Sequence, residues 1–119
     1  MTRANKTLSG LDALSFTATR KNPKPGQWRR CFWSVAPATG DYNVDREYGQ
    51  QLALEYINFE VSDRSGPGYL NHIISDMPKP LTNIEISFLQ VVGFQIKAGG
   101  DYASRLLKHW ADCEKEAVR

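Results

Sequence analysis

The apolar residues of this chain change period part-way along, and that change restricts the fold to a mixed one. From Leu14 to Thr19 they alternate: Leu14, Phe16 and Ala18 are separated by Ser15, Thr17 and Thr19, the pattern of a half-buried strand. From Asp45 onward they recur at helical intervals, as in Tyr48, Leu52, Tyr56 and Phe59. A chain that reads with period two and then with period 3.6 is expected to be α+β, with an N-terminal β-hairpin packed on three to four helices in a single domain.

The hairpin is expected between residues 14 and 35. In "NPKPG", residues 22–26, two prolines fix φ and Gly26 permits the backbone to turn, while "QWRRCFWSV" resumes strand composition. That second strand is expected to put Cys31, Trp33 and Val35 on one face and Arg30, Phe32 and Ser34 on the other. Three to four helices are expected after it. Asp45 is read as the N-cap of the first, with Gly49 weakening its interior. "SDRSGPG" breaks the chain, and "YLNHIISDM" forms a short helix before Pro78. Thr82 and Glu85 have capping-box spacing and open a helix that ends at Gly99; the β-formers within residues 83–98 leave a strand pair turning near Gly93 as the alternative. Its apolar residues lie nearly all round, which suits a central buried helix. The last helix, from Asp101, is amphipathic, with Tyr102, Leu106, His109, Trp110 and Cys113 on the face expected to turn inward. The expected core is Phe16, Trp33, Leu52, Tyr56, Ile74 and Phe88, completed by Val92, Leu106 and Trp110.

A chain of 119 residues is one domain in size, covering 1–119, and residues 1–10 are polar and expected to be flexible. No apolar run approaches the roughly 18 residues that span a bilayer, and the opening "MTRANKTLSG" has no apolar segment behind its charge, so a cytoplasmic protein without membrane contact is expected. Two cysteines are fewer than a small secreted domain usually carries, so Cys31 and Cys113 are read as free thiols.

Charge is unevenly placed. Residues 1–30 hold seven basic side chains against Asp12 alone, and the remainder has eight basic and twelve acidic ones. Five of the basic residues surround the proline turn in "RKNPKPGQWRRCFW". Arg20, Lys21, Lys24, Arg29 and Arg30, with Trp28 free to stack on an unpaired base, form the candidate site for a protein partner, an acidic surface or nucleic acid. The competing reading is a structural hairpin whose arginines pair internally, with Asp41 or Glu47 as candidate acids.

The motifs of catalysis are missing. There is no G-x-S-x-G and no phosphate loop, and Ser65, Ser75, His72 and Asp76 share only a neighbourhood in sequence. His109 and Cys113, four apart on a helix, with His72 and Cys31 would make a Cys2His2 set, but core packing explains the helical pair. Asp41, Asp45 and Glu47 lack a calcium-loop pattern, and helix capping accounts for two of the three. The expectation is therefore a non-enzymatic interaction or regulatory protein of the small bacterial or phage accessory kind, with no cofactor and no metal. A nucleic-acid-binding protein is the alternative and a small hydrolase or metal enzyme the third reading. Oligomeric state is left open by the sequence.

Overall fold

The computed structural model describes residues 10–63 and 68–117. The expected flexibility of residues 1–9 and the Ser65 candidate lie outside the described residues, as does the Tyr102 side chain. A 3-10 turn, Gly10–Ala13, leads into a two-stranded antiparallel hairpin, β1 (Ala18–Thr19) and β2 (Arg30–Cys31), with Ala18 opposite Cys31 and Thr19 opposite Arg30. Four helices follow: α1 (Tyr42–Ser62), α2 (Leu70–Asp76), α3 (Asn83–Ala98) and α4 (Gly100–Ala117). The architecture is the expected α+β one.

The strands are shorter than their alternation predicted. Leu14 and Phe16 are buried as expected, but pairing in the other strand stops at Cys31, and the next two residues, Phe32 and Trp33, both go into the core. Two adjacent side chains cannot point the same way from a strand, so the chain leaves the sheet to seat them. A single backbone bond, Ser34 N–H to the Phe16 carbonyl at 2.6 Å, still ties the two segments together there. Gly26 has φ of 80°, as the tip of the turn requires.

α1 and α3 form the frame. The first turn of α1 is capped by Asp41, whose carboxylate accepts from the backbone N–H groups of Asn43 and Val44. Asp45, expected as the cap, lies one turn inside and faces backward, accepting from the Thr39 backbone N–H and hydroxyl and from Gly40 N–H. These bonds, the Thr39 backbone one foremost, hold its carboxyl below the ordinary carboxylate range despite its burial. Gly49 turns out to be the point of closest approach. A Cβ there would run into the Ile84 carbonyl oxygen of α3, and beside it the Ser87 hydroxyl donates to the Arg46 carbonyl at 2.7 Å. What propensity counts against α1 is what lets α3 pack on it.

α3 is a helix throughout and not a strand pair, opened by the Thr82–Glu85 capping box. Glu85 is buried and fully engaged: one carboxylate oxygen accepts from the backbone and hydroxyl of Thr82, the other from the Trp33 indole N–H at 2.9 Å. The core lies on one side of the α1–α3 pair. Phe16 is fully enclosed by Trp33, Tyr56 and Phe88, with ring centroids 5.4, 6.4 and 5.8 Å away. Ile73 and Met77, from α2 and the residue after it, close its edge.

Three expected core residues are not in it. Ile74 is 41% exposed, because Ile73 is the α2 residue that faces the core. Leu106 is half-buried and Trp110 is 57% exposed. The inward face expected for α4 has no core beneath it: among the side chains described on this helix none is buried, and His109 and Cys113 are both exposed.

Candidate functional site

The basic hairpin divides into residues that hold it in place and residues that face outward. Arg20 belongs to the first group: its guanidinium reaches the Trp28 carbonyl at 2.8 Å and the Arg30 carbonyl at 3.0 Å, and pairs with Asp76 at 3.2 Å. The other Asp76 oxygen accepts from Phe32 N–H at 2.8 Å, so one carboxylate at the end of α2 straps both arms of the hairpin. Arg30 pairs with Asp12 at 3.0 Å. The acids that receive the arginines are thus Asp76 and Asp12, not the Asp41 or Glu47 suggested by their sequence position. Lys21, Lys24 and Arg29 are exposed, and Arg29 makes only a long contact with the Arg20 carbonyl at 3.5 Å.

Trp28 is 67% exposed yet has a neighbour. Its ring meets His72 edge-on at 5.4 Å, and His72 in turn stacks on Phe32 at 4.9 Å. An aromatic row continues through Tyr69 to Phe59. Beside it a shallow depression of about 380 Å³ is lined by Lys24, Gln27, Trp28, Ser75 and Asp76. His72, Ser75 and Asp76 are close along α2, but Asp76 is held by Arg20 and Phe32, and no hydrogen bond links the three among the described residues. Nor does any group of three or more metal-ligating side chains occur among the described residues; the His109 ring nitrogen and the Cys113 sulfur are 3.7 Å apart and stand as a pair. Cys31 and Cys113 are free thiols.

A second surface was not singled out by residue in the sequence. An open cleft of about 740 Å³ runs between α1 and α3, floored by Leu54, Ile57, Val91 and Phe94 and edged by Arg46 and glutamines. Phe94 is 77% exposed. Close by in the chain, Ile96 and the α4 residues Leu107 and Trp110 are also largely bare. Singly exposed apolar residues are ordinary; Leu54 and Phe94, bare in the same cleft, are a cluster. The signal for it was present in α3, whose apolar residues encircle the helix. Such a helix wants cover on both sides, and this chain's hairpin and α2 cover one.

No protein-family model matches this chain, and no curated protein and no solved structure matches it significantly. No helix among the described residues is long and apolar enough to cross a membrane.

Proposed function

We propose that this is a non-enzymatic interaction protein that acts by occupying a macromolecular partner, and that its working surface is the apolar cleft between α1 and α3 together with α4. The observation that carries this reading is the exposure of Leu54 and Phe94 in the cleft and of Leu107 and Trp110 on α4, which the hydrophobic effect penalises in a lone molecule. An amphipathic helix and an apolar groove are the two halves of a common recognition mode. Two unpaired thiols, one of them exposed, suit a reducing cytoplasm.

The exposed Lys21, Lys24 and Arg29 beside Trp28 favour a second reading, a nucleic-acid contact through the hairpin. One comparison separates them: capture from an extract of the native host by wild type, by Leu54→Asp/Phe94→Asp and by Lys21→Ser/Lys24→Ser/Arg29→Ser, each at low and high salt. Loss of bound partners with the first variant alone, at both salts, supports the apolar face. Loss with the second variant alone, together with nucleic acid in the wild-type eluate that salt removes, replaces it by the second reading.

A further inference from the structure

Resting on that reading of the bare face, we propose that its occupant is a second copy of this chain, α4 of each copy lying in the α1–α3 cleft of the other in a reciprocal two-fold exchange.

The chain carries both halves of the contact and cannot join them within itself. α3 ends at Ala98 and α4 begins at Gly100, so only Gly99 lies between them. An antiparallel helical hairpin takes a loop of about two to five residues, and one residue makes a corner. α4 therefore projects, and none of the side chains described on it is buried. A helix that leaves its own frame bare and points away from it is the geometry of exchange between copies.

The two halves also match in character. The cleft floor is aliphatic and aromatic, and helical spacing puts Leu106, Trp110 and Cys113 along one side of α4 with Arg105, Lys108, Asp112 and Lys115 on the other. Arg46 is the one formal charge in the cleft lining and has no ion-pair partner among the described residues. Glu114 and Glu116 border the apolar side of α4, one on each flank, where an Arg46 from the other copy would meet them. Gln50, Gln90 and Gln95 supply neutral donors along the rim.

The area suffices. A helix of 18 residues is about 27 Å long and roughly 10 Å across. Seated along about a third of its circumference and repeated by the two-fold, it removes roughly 1,200 Å² from water, the lower edge of what stable interfaces bury. A single, unreciprocated contact would bury about half of that and fall in the range of crystal packing contacts.

The test is the oligomeric state of the wild type and of one variant in each half of the contact. Sedimentation velocity at micromolar concentrations should find the wild type dimeric, and Phe94→Asp, which spoils the cleft, and Trp110→Asp, which spoils α4, should each be monomeric and folded by circular dichroism, with dimerisation weakened on the order of thirtyfold or more. Mixing the two variants leaves one contact intact and the other doubly broken, so a heterodimer should form more readily than either variant's homodimer but far more weakly than the wild-type dimer. A dimer that survives either substitution, or a mixture that associates no more than the separate variants at the highest concentration, would overturn the exchange. So would a wild type that remains monomeric when concentrated; in that event capture that still depends on Leu54 and Phe94 leaves the interaction reading standing with a foreign partner, and capture indifferent to them removes both.

Discussion

The α1–α3 pair has two faces of similar composition and opposite fate. On one, Phe88 is fully enclosed by Phe16, Trp33 and Tyr56. On the other, Phe94, six residues along the same helix, is 77% exposed. Nothing intrinsic to phenylalanine distinguishes them; the difference is that the hairpin and α2 are long enough to roof one face only, and α4 departs before it can roof the other. Burial is decided by what the rest of the chain can reach. The first face is where this protein gets its stability, and the second keeps its apolar area exposed.

The sharpest way to break that contrast is to truncate both rings. Phe88→Ala should destabilise by about 3–5 kcal/mol, lost transfer energy plus an unfilled cavity, whereas Phe94→Ala in dilute protein should stay within about 0.5 kcal/mol. Urea denaturation of the pair measures both, and equal losses would mean that Phe94 is packed. Trp110→Ala belongs with Phe94: it too should be near neutral in dilute protein, where a core tryptophan would cost several kcal/mol.

Next in size is the seam between the faces. Gly49→Ala pushes a methyl group into the Ile84 backbone carbonyl, so α1 and α3 must part, at a cost of about 1–3 kcal/mol. At an exposed helical position the same change would stabilise. A thermal melt decides the sign.

Asp45 offers a pH test of the covered side. Because its folded-state pKa is lowered, its contribution is fully present above the unfolded value of about 3.9 and is lost as pH falls through that value toward the lower folded one. The stability gap between wild type and Asp45→Asn should therefore be constant near neutrality and shrink below about pH 4. A gap that does not change in acid would show that the bonds from Thr39 and Gly40 do not favour the ionised form. The smallest effect is expected from Lys21→Ser/Lys24→Ser/Arg29→Ser, within about 1 kcal/mol because these charges are exposed. Arg20→Ser should cost more than the three together, since it unties the strap to Asp76.

Local chemistry was legible in the sequence and reach was not. The Thr82–Glu85 spacing declared the start of α3, and the proline turn declared the hairpin. The N-cap of α1 was misplaced by one turn because Asp41 and Asp45 are both suitable caps, and only the position of Thr39 and Gly40 behind the helix decides which carboxylate serves it. The strands were overextended because alternation cannot foresee Phe32 and Trp33 turning in together. At the candidate site, the charges of Arg20 and Arg30 were visible but their acids were not, as Asp76 lies 56 residues from Arg20 along the chain. For α4 the helix and its amphipathic pattern were legible, but the inward, buried face expected of it was not found. Periodicity shows that a helix has an apolar face and not whether the fold places a core beneath it.

Hydrogen exchange resolved along the chain tests the division of the two faces most directly. A helix without tertiary packing is marginal in water, whereas one in a core opens only with much of the fold. In dilute protein the amides of α4 should exchange far faster than those of residues 84–92 in α3, and should gain protection, together with residues 90–96, as concentration rises. Protection of α4 equal to that of α3 at the lowest concentration would contradict the account, because α4 would then be part of the molecule's own core.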